Sequence, residues 1–491
     1  MSASRERKKR IASEQPAAGQ PAAKKKLSEG LLLAVAVFLV LAIVFGSIAI
    51  YRVYWRHATV LTVGEHEVST VEFNFFFNSA VNELVNTYGS YLSLLGMDPS
   101  VPLTQQNAPG TQEDAEPQTW AAYLADSAKT TAVNYYTVCD AAAEAGFALS
   151  QEQLDEIESQ ISSISTYATL YGTNADQYIE NMYGSGCDLD GYRDFLTLSY
   201  TYSAYISSLE YTDEEIAARY DKDPTEFDSV SFELYTASAS NYAGKNDDGT
   251  AAEITDEDRA AAKAAADTMT ANFIHNSKVV DYTEQSKASV TSSIGEEAAN
   301  WLFDASTAEG SVKQFETENT YYVVRFGSRT DNDYQTVNAM QIYIKNDTEE
   351  VEEGEQTAAE RLAAVLESLE KDSSEENFQS LITSYSDNTN SSTYTRAAHK
   401  SVSNQEVNEW LFDGKRTEGE YKTFETSEGA YVVLFQSYDK TYKDLLVSNT
   451  LTNEWFEALT GDVAYTYNAD NAMHCHVDFA VGEVYNLSSN G

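Results

Sequence analysis

The chain has 491 residues, 42% of them hydrophobic and 12% aromatic, enough to bury several cores. That excludes a disordered chain and suggests three or four domains. A formal net charge of −45 argues against nucleic acid as a partner, because phosphate binding draws on a basic face.

Charge is uneven along the sequence. Residues 1–30 form a basic tail containing Arg5, Arg7, Lys8, Lys9, Arg10 and Lys24 to Lys26. The uncharged run LLLAVAVFLVLAIVFGSIAI follows, and residues 31–51 are predicted to be a transmembrane helix, since about 20 residues at ~1.5 Å rise cross a hydrocarbon core of ~30 Å. The basic cluster before the span keeps the N-terminus cytoplasmic and exports the rest, giving a single-pass protein of the cell membrane. A cleaved signal peptide is the alternative, but its apolar core is shorter, roughly 7–15 residues, and a cleavage site would replace YRVYWRH. A lipid anchor would need a cysteine at the end of the run. The cysteines are Cys139, Cys187 and Cys475, which excludes a dense disulfide framework and leaves Cys139 with Cys187 as the one pair to consider.

Residues 58–222 read as a helical domain. ATVLTVGEHEVS predicts two short strands around Gly64, and Ser69 with Glu72 has capping-box spacing for a helix over VEFNFFFNSAVNELV. Residues 98–118 hold four of the seven prolines and predict a loop. Helices follow over Trp120 to Ala145, from Ser150 through Gln160, and over residues 175–182 and 188–209. Thr212 with Glu215 gives a second capping box.

An internal repeat occupies the next part. EEAANWLFDASTAEGSVKQFETENTYYVVRF (296–326) aligns without a gap to QEVNEWLFDGKRTEGEYKTFETSEGAYVVLF (405–435) at an offset of 109, with Trp301/Trp410, Phe315/Phe424 and Tyr322/Tyr431 among the identities. Each copy opens with a strand, FDSVSFELYTA or YQTVNAMQIYI, then a helix, a short WLFD helix and a closing strand. Two α+β domains, 225–330 and 333–440, are therefore predicted. Residues 441–491 form a C-terminal helix and tail.

The repeats resemble the parvulin family of peptidyl-prolyl isomerases, within extracytoplasmic foldases of the SurA and PrsA type. VNAMQIYI resembles the first parvulin strand, NFQSLITSYSDN the Phe-containing helix, and WLFDGKRTEGE with EGAYVVLF the closing helix, turn and strand. The helical part, from VLTVGEHEVSTVEF to YTDEEIAARYDKDPTEFDSV, resembles the N-terminal chaperone domain of such foldases. The resemblance implies an α+β fold beside an all-α module, and a C-terminal helix (Leu445 to Asn468) that packs back on that module.

It also implies a His on the first and last strand of each isomerase domain. Those positions fall on Gln341 and Tyr431 in the second repeat, and on Glu233 or Leu234 and Tyr322 in the first. The family's Gly-Gly loop is replaced by TNSSTYTRAAHKSV, whose His399 reads as a solvated loop residue. No cofactor or metal is predicted. His474-Cys475-His476 offers three ligand types, yet adjacent strand residues point to opposite faces and a closed site usually wants four.

The reading is a membrane-anchored chaperone or foldase that binds unfolded, newly exported polypeptide with little or no isomerase catalysis. Phe73, Phe75, Phe76 and Phe77 are candidates for client contact, but with four within five residues some must face inward, and core packing is the favoured reading for any one of them. An active isomerase using Tyr322 or Tyr431 and Gln341 is one rival; a structural envelope protein that keeps one stable partner is another. Oligomeric state is left open.

Overall fold

A computed structural model describes residues 53–109, 117–246, 249–348 and 354–485. The basic tail, the apolar run 31–51 and most of the acidic loop Glu349 to Glu355 lie outside the described residues. No helix among those described is long and apolar enough to cross a membrane. The chain divides into one unit of residues up to Ser208 together with those from Ala458 onward, and a second from Leu209 to Glu457.

In the first unit a hairpin, β1 (Thr59–Val63) and β2 (His66–Ser69), turns at Gly64, whose φ of 57° suits glycine. Ser69 and Glu72 then cap α1 (Thr70–Tyr88) reciprocally. Around it stand α2 (Trp120–Glu144), α3 (Gln151–Leu170), α4 (Ala175–Tyr183) and α5 (Leu189–Ser207). Helix α3 runs ten residues beyond the predicted end because Ile161 and Ala168 continue its buried stripe.

Phe73, Phe75, Phe76 and Phe77 are each 2% exposed or less, so all four pack in the core, as favoured from sequence, and none is left for client contact. The cause is that α1 is buried on two sides. Phe73, Phe76 and Phe77 join the core of α2, whereas Phe75 faces Ile179 and Cys187 and stacks on Phe195 at 5.5 Å. The three thiols are free, so the Cys139–Cys187 pair does not form.

The C-terminal residues complete this unit through a strand. β11 (Tyr465–Tyr467) pairs antiparallel with β1, Leu61 opposite Tyr467, and Val477, Phe479 and Val481 are buried in the same core. The preceding helix α13 (Tyr442–Thr460) buries Val447 against Ile216 and Phe227 in the second unit. Ile216 lies on α6 (Asp213–Tyr220), whose Arg219 bridges Glu226 and Glu454 at 2.7 Å each.

The second unit combines helices with two antiparallel four-stranded sheets, the α+β arrangement predicted from the repeat. The first contains β3 (Ser229–Ser238), β4 (Val279–Ser286), β5 (Val312–Glu316) and β6 (Thr320–Thr330) in the order β4-β3-β6-β5. The second contains β7 (Gln335–Lys345), β8 (Thr393–Ala397), β9 (Tyr421–Glu425) and β10 (Gly429–Thr441) in the corresponding order β8-β7-β10-β9. The repeat extends to side chains. Trp301 packs on Phe315 at 5.7 Å and Trp410 on Phe424 at 5.8 Å, with Lys313 and Lys422 over the same phenyl rings at 4.8 and 4.7 Å.

The helices differ between the copies. In the first domain α7 (Asp256–Ala271) covers one sheet face, and α8 (Lys287–Ile294) with α9 (Glu296–Phe303) covers the other. In the second, α10 (Ala358–Lys371) and α11 (Glu375–Tyr385) cover the face corresponding to that of α7, while α12 (Gln405–Leu411) stands opposite.

Candidate functional site

Strand register decides which residues correspond. Val324 lies opposite Leu234 and Val433 opposite Gln341, so Leu234 is the counterpart of Gln341, and Glu233 that of Met340. Adjacent residues on a strand face opposite ways. Glu233 therefore points to the α7 face, where Arg325 Nη1 meets it at 2.9 Å and His275 Nδ1 at 2.7 Å. Leu234 points to the α9 face, into a core with Val290, Ile294 and Phe326, and Tyr322 packs against the same cluster. Val290 and Ile294 of α8 belong to that same core.

The second domain has no helix at the corresponding place. Between β8 and α12 the chain makes only a 3-10 turn, His399–Ser401, and a groove of about 680 Å³ remains. Gln341, Tyr343, Tyr394 and Tyr431 line it, with Asn388, Ser391, Arg396, Asn404 and Glu428 among its polar residues. The structure thus brings Gln341 and Tyr431 together and separates both from Glu233 and Tyr322, which lie in the other domain.

Gln341 is 8% exposed and held on both ends. Its Nε2 donates to the Ser391 carbonyl at 2.6 Å, and its Oε1 accepts from the Tyr394 hydroxyl at 2.9 Å. The Tyr343 and Tyr431 rings lie 4.7 Å apart and tilted by 33°. Burial raises the Tyr394 and Tyr343 hydroxyls above the ordinary phenol range, so both are neutral at physiological pH. The groove therefore presents aromatic surface and neutral hydrogen-bonding groups. Among the described residues that line it there is no thiol and no imidazole. Such a surface suits an extended peptide, apolar side chains against the rings and backbone amides against the rim.

Tyr343 and Tyr394 were not singled out from sequence. Tyr343 could have been, since it follows Gln341 by two on one strand and must share its face. Tyr394 could not, because it sits in a polar stretch, TNSSTYTRAAHKSV, whose strand is visible only in the sheet.

The remaining candidates lie elsewhere. His399 is not a solvated loop residue. It stacks on Tyr334 at 3.7 Å with rings 3° from parallel, and its Nδ1 lies 2.9 Å from Glu284 Oε1, a contact between the two α+β domains of the second unit. His474, Cys475 and His476 do not converge on one point. The His474 ring stacks on Trp55, that of His476 on Phe479, and Cys475 Sγ donates to the Thr70 carbonyl at 3.6 Å. All three border a hollow of about 330 Å³ with Arg56 and Asn74. Among the described residues, the one group of three potential metal ligands is Glu233, His275 and Asp281.

No family model matches the chain, and no curated protein is similar to it at a significant level. Among solved structures it is similar to a chain from a study of the virulence factor PEB4 and the periplasmic protein Cj1289, described as SurA-like chaperones of Campylobacter jejuni. The identity is 10%, over 56% of this chain and 82% of that one, with a TM-score of 0.16. A likeness that low carries no weight for fold or activity.

Proposed function

We propose that the chain is a membrane-anchored extracytoplasmic chaperone or foldase whose second α+β domain receives unfolded polypeptide. The observation that carries the reading is the groove of Gln341, Tyr343, Tyr394 and Tyr431, whose counterpart of Gln341 in the other repeat, Leu234, is packed into a core. The apolar run 31–51 supports tethering, and the parvulin-like sequence of the repeats supports a peptide as ligand. Catalysis is weak or absent in this reading. Prolyl rotation requires no covalent step, only a site that disfavours the planar amide across a barrier of ~18–20 kcal/mol, but the groove lacks the pair of His that active parvulins present.

The test is an aggregation-suppression titration with several unrelated unfolded clients. The wild type should protect them, and Tyr431→Ala with Tyr343→Ala should lose most of that protection while the fold persists. Protection of none at equimolar ratio sinks the proposal. An active isomerase remains the second reading, because Gln341 and Tyr431 do share one groove. A proline-isomerisation assay in which Tyr431→Ala or Gln341→Ala abolishes a measurable rate would favour it.

A further inference from the structure

On the α7 face of the first sheet, β3 and β4 place Glu233 directly opposite Asp281. Two carboxylates in that relation repel each other. The corresponding position in the second domain is Met340, packed beneath α11 through Phe378 and Ile382. Between α7 and β4 the first domain has only the loop 272–278, and the sheet left uncovered there carries charge instead of apolar side chains. His275, from that loop, sets Nδ1 2.7 Å from Glu233 Oε1 and 3.7 Å from Asp281 Oδ1. The ligand atoms of all three lie within 4.8 Å of one another.

We propose that Glu233, His275 and Asp281 bind a borderline divalent cation of the zinc type. One imidazole nitrogen and two carboxylate oxygens are ligands such an ion takes, with a fourth position left to water. Metal–ligand bonds of about 2.0–2.2 Å at tetrahedral angles separate ligand atoms by roughly 3.3 Å. Glu233 and His275 need only part by roughly half an ångström to reach that spacing, while Asp281 stands 3.7 Å from His275 and within 4.8 Å of Glu233. Arg325, at 2.9 Å from the other Glu233 oxygen, orients that carboxylate from the outer shell without occupying the ligand oxygen. Calcium fits poorly, since it gathers six to eight oxygens and avoids imidazole. The strongly acidic chain raises the local concentration of cations. Bound there, the ion would replace the cross-strand repulsion by a clasp joining β3, β4 and the loop before β4.

The test uses the full chain in detergent, stripped with a chelator and titrated with zinc chloride by calorimetry, then melted with and without zinc. The wild type should take up a saturable equivalent and melt higher with zinc, because an ion that binds only the folded state stabilises it. His275→Ala and Asp281→Asn should each weaken uptake tenfold or more and abolish the rise in Tm, whereas His474→Ala and His399→Ala should retain both. The Asp281 side chain is 64% exposed, so its amide variant keeps the fold even if His275→Ala does not. Absence of saturable uptake by the wild type overturns the proposal. Equal uptake by Asp281→Asn, or loss confined to His474→Ala, does so as well.

Discussion

The three thiols of the first unit sit among apolar neighbours, with Cys187 Sγ donating to the Val71 carbonyl at 3.5 Å and Cys139 Sγ to that of Leu198 at the same distance. Burial pushes Cys139 up to about 11 and Cys187 up to about 12, and raises Cys475 further still. An unfolded thiol ionises near ~8.5. Between that pH and 11 the unfolded chain has released protons that the folded chain keeps, so stability falls as pH rises, and the contribution is fully present only below the unfolded value. Burial raises the Tyr136 and Tyr467 hydroxyls as well, and they add the same sign of dependence from the phenol range upward. The free energy of unfolding in urea should therefore hold steady to about pH 8 and decline through pH 9–11. A thiol reagent at pH 8 should label the native protein slowly, Cys139 first, and all three cysteines rapidly in urea. Cys475 labelled equally fast in both conditions would contradict this account.

Helix starts were legible because capping chemistry is local. The Ser69–Glu72 and Thr212–Glu215 boxes form as their spacing predicts, and Ser150–Gln153, Thr255–Asp258 and Thr357–Glu360 repeat the device. The repeat was legible for the same reason, since identical side chains at a constant offset build the same Trp–Phe–Lys stack twice. Which repeat holds a groove was not. Leu234 joins a core that Val290 and Ile294 of α8 also enter, a tertiary cluster with no signature in the residues between Ser286 and Gly295. The choice between Glu233 and Leu234 likewise needed the β3–β6 register, because a one-residue shift exchanges the two faces. Ile294→Ala, at a site only 5% exposed, should destabilise the second unit by about 2–4 kcal/mol in urea unfolding. If the groove of the second domain is the client site, the same variant should protect unfolded clients as well as wild type at temperatures where it stays folded. Loss of protection without loss of fold would move the client site to the first domain.

At the scale of the molecule, the first unit is closed by residues more than four hundred positions from the strand they meet. β1 hydrogen-bonds β2 on one side and β11 on the other, and Asn468 donates its backbone N–H to the Val60 carbonyl at 2.8 Å. Beyond that strand, Leu103 donates to the Phe479 carbonyl at 3.0 Å and Gly482 to that of Pro99 at 2.7 Å, so the loop after α1 is pinned by the C-terminal residues. The sequence resemblance implies a returning helix over Leu445 to Asn468, and extended residues follow α13. The burial nevertheless lies in those extended residues. Val477, Phe479 and Val481 are 2%, 8% and 0% exposed, and Cys475 is 8% exposed. At roughly 1.5–3 kcal/mol for each fully buried apolar side chain, their loss removes about as much as the whole stability of a domain, ~5–15 kcal/mol. A chain ending at Asp462 should therefore leave the first unit unfolded and the second intact. Hydrogen exchange would read this as lost protection of α1 and α2 amides with protection of β7 and β10 unchanged, and supplying residues 463–491 as a separate peptide should restore the former. Undiminished protection of α1 in the shortened chain would show that the helices hold themselves together without the returning strand.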